Sequence, residues 1–187
     1  MYTVASMASK RRHTDSGFTL VELMTVVSIV GILAAIGVTL VGRHAKAART
    51  VEALSMVQSI RAAEESYRAE NRRYLSVSSS LTDYYPVASP DGKGRAFYQN
   101  GSSPLDLRWN TLRPAVAGPV RFVYAVMAGD AGDTVPPPQI KNPPNFPTAQ
   151  APFYVIQAAG NFDNDNELCI VAATSYSGET YVENDGE

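Results

Sequence analysis

The chain has 187 residues, of which 45% are hydrophobic and 18% are charged, and its formal net charge is −2. This length is sufficient for one membrane helix and one modest globular domain. Residues 75–187 are acidic, with six Lys or Arg against twelve Asp or Glu. That balance argues against non-specific nucleic-acid binding, because phosphate contacts require clustered basic side chains.

A long apolar stretch lies near the start of the chain. Residues 17–42 read GFTLVELMTVVSIVGILAAIGVTLVG and contain one charged residue, Glu22. At about 1.5 Å per residue a helix of this length reaches roughly 40 Å and exceeds a bilayer core of about 30 Å. A lone span must be helical, because its backbone polar groups find no other partner in lipid. The stretch therefore predicts one transmembrane helix over residues 18–42.

A short basic segment precedes this stretch. Residues 10–12 are Lys-Arg-Arg, and no apolar run accompanies them, whereas a secretory signal has its apolar region before the cleavage site. The order of basic leader, Gly17, Phe18, Glu22 and apolar helix resembles the type IV pilin family, which includes the pseudopilins of type II secretion. One departure is that the family's proline in the second half of the apolar helix is absent here.

The resemblance implies how the N-terminus is used. A prepilin peptidase is expected to cut between Gly17 and Phe18, which removes residues 1–17, and to methylate Phe18. Glu22 matches the family's glutamate, which faces the N-terminal amine of a neighbouring subunit in filament assembly. Alternatively, Glu22 only stabilises the positive end of its own helix. A carboxylate in an apolar span requires a partner, which favours the assembly role.

Residues 43–74 change from uniformly apolar to amphipathic. Apolar side chains recur every three or four residues, and no Gly or Pro interrupts them, as in a helix with one buried face. The pattern predicts that the membrane helix continues to about residue 74 and presses its apolar stripe against the C-terminal domain. The stripe comprises Ala47, Val51, Leu54, Val57, Ile60, Ala63 and Tyr67.

Residues 75–187 are predicted to form an α+β head, in which the long helix packs on a small antiparallel sheet as a pilin-like roll. Residues 75–119 are rich in Ser, Gly and Pro and predict a connecting region of turns and loops. Residues 136–152 contain seven prolines and predict a stiff, extended surface excursion. Four strands are predicted from β-branched and aromatic runs, at residues 120–128, 153–159, 168–174 and 179–183.

The head offers little catalytic chemistry. Both histidines, His13 and His44, lie outside it, so no histidine-based triad or zinc site can form there. Cys169 is the one cysteine; it lies in an apolar strand, as an inert core cysteine does. Many pilins close a C-terminal loop with a disulfide, so this chain must hold that region in another way. The sequence predicts no enzyme.

One acidic turn is a candidate metal site. In FDNDNE, residues 162–167, Asp163, Asp165 and Glu167 alternate with asparagines, as oxygen ligands do in a calcium loop. The glycine and distal glutamate of an EF-hand are absent, and Asn and Asp are also preferred turn residues. Calcium binding and a solvated turn both stay open, and no other cofactor is predicted.

The predicted function is that of a pilin or minor pilin, a structural subunit of a type IV pilus. The resemblance implies a single-pass protein of the bacterial inner membrane, with its N-terminus in the cytoplasm and its head in the periplasm. Pilus or secretion machinery then assembles it with other subunits into a surface filament, through a head-to-tail contact that does not close. One alternative is a pseudopilin of type II secretion. Another, from a different class, is a membrane-anchored periplasmic binding protein or enzyme that keeps its leader.

Overall fold

The fold is taken from a computed structural model that describes residues 17–144, 148–162 and 167–185, without the side chains of residues 38–47. Four strands form one antiparallel sheet in chain order, which confirms the predicted α+β class. The elements are helix α1 (Leu20–Asn71), helix α2 (Pro104–Leu112), and strands β1 (Val123–Gly129), β2 (Phe153–Gly160), β3 (Cys169–Thr174) and β4 (Thr180–Glu183).

The chain divides into two units, Met1–Val41 and Gly42–Glu187, and α1 contributes residues to both. In the first unit, the described large apolar side chains of α1 are each more than half exposed. The hydroxyls of Thr25 and Ser28 are satisfied within the helix, since they donate to carbonyls four residues earlier, both at 2.8 Å. The surface of this segment is therefore almost wholly apolar.

In the second unit, the later turns of α1 pack on one face of the sheet. Ala53, Val57 and Ile60 are fully buried, because they lie three or four residues apart on one side of the helix. They share a core with alternate residues of the strands, namely Tyr124, Val126, Tyr154, Ile156, Ala158, Val171 and Ala173.

The buried face of α1 differs in part from the predicted stripe. Val51 is 62% exposed, whereas Ala53 and Met56 are buried, so the prediction for Val51 is wrong. Ala47 lies outside the described side chains. Relative to the predicted stripe, the buried face is rotated toward residues 53, 56, 60 and 64. The prediction differs because the buried face includes Glu64, and a search for apolar side chains does not count a glutamate. The remaining stripe residues line the core or its margin, namely Leu54, Val57, Ile60, Ala63 and Tyr67.

Two helix boundaries depart from the sequence prediction. Helix α1 ends at Asn71 rather than near residue 74, because Arg72 takes a left-handed φ of 60°, as residues that end helices often do. Helix α2 lies within the predicted connecting region. Its start is fixed by a capping box between Ser103 and Asp106 with Pro104 in the first turn, a combination that favours helix initiation.

Glu64 is a buried carboxyl on the core face of α1. The residue is 0% exposed, and its Oε2 accepts the Leu75 N–H at 2.9 Å, which ties the helix to the segment that follows it. Oε1 has no hydrogen-bonding partner among the described residues. Burial raises the pKa of Glu64 to about 8, against a lowering effect of the Leu75 bond. The protonated form therefore predominates at neutral pH.

Irregular segments cover the other face of the sheet. The fully buried Gln157 of β2 accepts the Gln139 N–H at 2.7 Å, and Val135 and Ala149 pack against β2. The described part of residues 136–152 contains no helix or strand, as predicted. It lies against the sheet rather than standing free, because Gln157 requires polar partners in the interior.

Arg61 holds the turn between β3 and β4. Its Nη2 donates to the carbonyls of Thr174, Ser177 and Glu179 at 3.0 to 3.1 Å, and its Nη1 donates to Gly178 O at 3.3 Å. Arg61 forms no ion pair in the described part of the chain. One guanidinium thus satisfies four carbonyls that the turn cannot pair internally.

The C-terminal region is therefore held by hydrogen bonds where other pilins use a disulfide. Cys169 is the one cysteine of the chain, so no intramolecular disulfide can form, and it is buried to 1% exposure in β3. Besides the Arg61 contacts, the Thr50 hydroxyl donates to Asp185 Oδ1 at 2.6 Å and ties the segment after β4 to α1. Both links run from the helix to the end of the chain.

Replacing Arg61 by Met is expected to lower the free energy of unfolding by about 2–3 kcal/mol, the usual effect of removing a charged hydrogen-bond donor. Met keeps the apolar stem and removes only the guanidinium. The measurement is urea unfolding of the full chain in detergent micelles, followed by the fluorescence of the fully buried Trp109. The matched control is Arg73→Met at an exposed position, expected to change stability by less than about 0.5 kcal/mol. Equal effects of the two changes would contradict the role of Arg61.

Candidate functional site

The first residues of the described chain include the predicted processing site. Phe18 is 84% exposed, and among the described residues beyond its chain neighbours no atom lies within 4 Å of the place where a Cβ on Gly17 would be. Both precede the first residue of α1, Leu20, and are in extended or irregular backbone. No described residue beyond its chain neighbours therefore covers the peptide bond between Gly17 and Phe18.

Glu22 and Thr19 form a reciprocal cap at the start of α1. The Glu22 N–H donates to Thr19 Oγ1 at 3.2 Å, and the Thr19 N–H and hydroxyl donate to Glu22 Oε2 at 3.4 and 3.2 Å. This is a capping box, which satisfies two backbone donors that the helix leaves free. Only Oε2 takes part, and Oε1 accepts no hydrogen bond from the described residues.

The cap bears on the two interpretations of Glu22. It matches the interpretation in which Glu22 stabilises its own helix end, and it leaves one carboxylate oxygen for a second partner. The predicted site residues do not include Thr19. The sequence feature that indicates its role is the Thr-x-x-Glu pattern of a capping box directly before an apolar run.

The helix after this cap is long and apolar enough to cross a membrane. The segment Leu20–Gly37 has 18 residues, and none of these residues is buried among the described parts of the chain. At about 1.5 Å per residue this corresponds to about 27 Å, close to the thickness of a bilayer core.

The acidic turn lies mostly outside the described residues. Asp163 and Asp165 fall in the part that the structure does not describe, and Glu167 is exposed. Among the described residues no group of three His, Cys, Asp or Glu side chains is arranged to hold a metal ion. Phe162, at the start of the turn, lies under the Arg49 guanidinium at 4.7 Å. Calcium binding at this turn stays a prediction.

The fold and the N-terminal site define a class of protein. A capped, exposed, apolar helix follows a Gly-Phe junction, and its continuation packs on a four-stranded antiparallel sheet. Such a chain is of the pilin type, in which an apolar N-terminal helix long enough to cross a membrane precedes a folded domain.

Comparisons with known proteins agree with this class. The family profile described as "Prokaryotic N-terminal methylation motif" matches residues 12–41. The type II secretion system core protein G of Aeromonas hydrophila is 31% identical over 132 residues, which cover 65% of this chain and 90% of that protein. Its counterpart from Klebsiella michiganensis is 34% identical over 92 residues, 49% of this chain and 64% of that protein. A fimbrial protein of Pseudomonas aeruginosa is 33% identical over 90 residues, 46% and 58% of the two chains.

The chain belongs to the type IV pilin-like family, which includes both secretion core proteins and fimbrial proteins. It spans less than two thirds of the Klebsiella and Pseudomonas relatives. No solved structure matches it significantly. Members of this family are structural subunits rather than enzymes.

Proposed function

We propose that the chain is a structural subunit of a helical filament, and that it waits in the inner membrane before assembly. The observation that carries this proposal is the apolar helix Leu20–Gly37, none of whose residues is buried in the described part of the isolated chain. Apolar surface of this extent needs lipid around it before assembly and other apolar helices after it. The secretion and fimbrial names of its relatives support the same role.

In this proposal a prepilin peptidase cuts between Gly17 and Phe18 and methylates Phe18. The exposure of Phe18 and the match of the methylation profile across residues 12–41 support it. The N-terminus lies in the cytoplasm and the head in the periplasm. Assembly machinery then draws the mature subunit out of the membrane, and Glu22 pairs with the amine of a neighbouring subunit.

Two kinds of filament fit this role. The predicted one is a type IV pilus, with the chain as pilin or minor pilin. The second is the pseudopilus of type II secretion, favoured by the match to 90% of the Aeromonas core protein against 58% of the fimbrial protein. Deleting the gene separates them. Loss of surface filaments with normal protein secretion indicates a pilin, and loss of secretion with normal filaments indicates a pseudopilin.

Replacing Gly17 by Val is expected to leave the precursor uncut, because a branched side chain next to the scissile bond obstructs a site that accepts glycine without Cβ. The measurement is the size of the membrane-bound protein on immunoblots.

The matched control is Gly31→Val within the apolar helix, where an added Cβ also has nothing within 4 Å. That variant should be cut normally. A mature product of normal size from Gly17→Val contradicts the proposed cleavage site and supports the rival class, an anchored periplasmic protein that keeps its leader.

A further inference from the structure

Arg61 and Glu64 lie three residues apart on α1, so their side chains share one side of the helix. Arg61 Nε and Glu64 Oε1 are both buried, and neither has a hydrogen-bonding partner among the described residues. The two groups form no ion pair in the described structure. A buried donor and a buried acceptor thus stay unmatched on neighbouring turns of one helix, and each such group costs free energy while it has no partner.

The protonation of Glu64 explains why they remain apart. A protonated carboxyl carries no charge to attract the guanidinium, and the Oε2 of Glu64 already accepts the Leu75 N–H. Burial raises the pKa of Glu64 to about 8, so the side chain is neutral in most conditions near neutrality.

The other ionisable groups around Glu64 do not compete for Arg61. Arg68 Nη1 donates to the Tyr74 hydroxyl at 2.8 Å, and that hydroxyl donates to Glu65 Oε1 at 2.9 Å, so these three side chains satisfy one another. Tyr154 of β2 faces both Arg61 and Glu64, and burial raises its pKa to about 12. It therefore stays neutral while Glu64 titrates.

We propose that Arg61 exchanges partners with the protonation state of Glu64. While Glu64 is protonated, Arg61 holds the carbonyls of the β3–β4 turn, residues 174–179. When the proton leaves, Arg61 turns toward the Glu64 carboxylate, and the turn opens.

The exchange follows from the strengths of the two kinds of bond. Contacts between a guanidinium and a carboxylate are stronger than contacts with neutral carbonyls, most of all in a low-dielectric interior. A carboxylate in the core also needs a counter-charge. Arg61 and Arg68 each lie one turn away from Glu64, and Arg68 is held by the Tyr74 hydroxyl, which also donates to Glu65. The carbonyls of Gly178 and Glu179 can be released to water, because both residues are exposed.

The turn carries a surface feature that would change with pH. Tyr176 is 43% exposed and its ring stacks on Phe153, with 6.0 Å between ring centroids. Arg61 contacts the turn from the α1 side, through residues on both sides of Tyr176. Release of Arg61 therefore loosens residues 177–179 beside this aromatic ring, while Ser175 keeps its two hydrogen bonds to Tyr154.

The test is carbon-13 NMR of the full chain in detergent micelles, labelled at the Glu side-chain carboxyl and the Gly carbonyl, between about pH 5 and about pH 10. The Glu64 carboxyl signal should titrate with a midpoint of about 8. The Gly178 carbonyl, which accepts from Arg61 Nη1, should shift with the same midpoint. A Gly178 signal that stays constant while Glu64 titrates, or a Glu64 midpoint near the ordinary value of about 4.3, overturns the proposal.

Two variants isolate the cause. Glu64→Gln keeps the neutral shape of the side chain, and its Gly178 signal should not shift near pH 8. Glu65→Gln at the next, exposed position should keep the shift. If Glu64→Gln fails to fold, the coincidence of the two midpoints in the unmodified chain still decides the question. Persistence of the Gly178 shift in a folded Glu64→Gln variant overturns the proposal.

Discussion

Replacing Glu22 by Gln is expected to leave the precursor inserted and cut, and to reduce its recovery in filaments by about a hundredfold or more. The reason is charge. Gln retains the side-chain oxygen that the capping box requires but cannot neutralise the amine of a neighbouring subunit. An uncompensated charge buried among apolar helices costs about 3–5 kcal/mol, and each 1.4 kcal/mol or so is a factor of ten in an equilibrium.

Three variants separate the charge of Glu22 from its role in the cap. Glu22→Val removes both the charge and the cap, Glu22→Gln removes the charge alone, and Thr19→Ala removes the hydroxyl that bonds Glu22 Oε2. Loss of the cap costs about 1 kcal/mol of helix stability. We therefore expect both Glu22 variants to be excluded from filaments and Thr19→Ala to be incorporated nearly normally.

The measurement compares the mature protein in membranes with the protein recovered from sheared filaments. Membrane levels should be equal, because Val and Gln are both tolerated in the apolar span better than a carboxylate. Wild-type incorporation of Glu22→Gln together with a defect in Thr19→Ala contradicts the intersubunit role. In that case Glu22 acts at its own helix end, as the hydrogen bonds within the single chain already show.

Replacing Glu64 by Gln is expected to make the stability of the head less dependent on pH. Burial raises the pKa of Glu64 in the folded chain to about 8, above the ordinary value of about 4.3. Between these values the folded state keeps a proton that the unfolded state has lost, so unfolding releases it and becomes easier as pH rises. Proton binding by Glu64 changes the free energy of unfolding by up to about 1.4 kcal/mol per pH unit. This stabilisation is fully present below the pKa of the unfolded chain and is lost as the pH rises through the folded pKa of about 8.

Urea unfolding of the full chain at a series of pH values, followed by Trp109 fluorescence, measures this effect. The quantity compared is the free energy of unfolding of the unmodified chain minus that of Glu64→Gln, in which the effects of groups that titrate alike in both chains cancel. From about pH 5 to about pH 8, Glu64→Gln should become more stable relative to the unmodified chain. Glu65→Gln, at an exposed position, is the control and should follow the unmodified chain. Parallel curves for the unmodified chain and Glu64→Gln contradict the burial of an uncharged carboxyl.

The sequence is most informative where one local property determines the structure. The apolar stretch predicts the exposed helix, and the β-branched runs predict the four strands to within three residues at each end. Both predictions depend only on the residue types within a short stretch of sequence, and they need no information about distant partners in the fold.

Features that depend on partners distant in sequence could not be predicted. The contacts of Arg61 with the β3–β4 turn join residues more than 100 positions apart, and nothing near Arg61 in the sequence marks it. The predicted apolar stripe does not include Glu64, because glutamate is normally exposed, although its position coincides with the core face. The sequence prediction does not include helix α2, because a nine-residue helix has too few turns for a clear periodicity. Its signal in the sequence is Ser103 followed three residues later by Asp106, the pattern of a helix cap.

The N-terminal site also has one part that the sequence predicts and one part that it does not. The Gly17–Phe18 junction and Glu22 are visible as a pattern, since the motif lies within a few consecutive residues. The reciprocal bonds of Thr19 and Glu22 show what Glu22 does inside one chain. What it does between chains depends on an assembly that one chain does not contain.

Mass spectrometry of the N-terminal peptide from native membranes tests the central claim most directly. A filament subunit of this family should begin at Phe18 and carry one methyl group on its amine. A peptide that retains residues 1–17, or a mature N-terminus at Phe18 without the methyl group, contradicts processing by a prepilin peptidase and with it the proposed route into a filament.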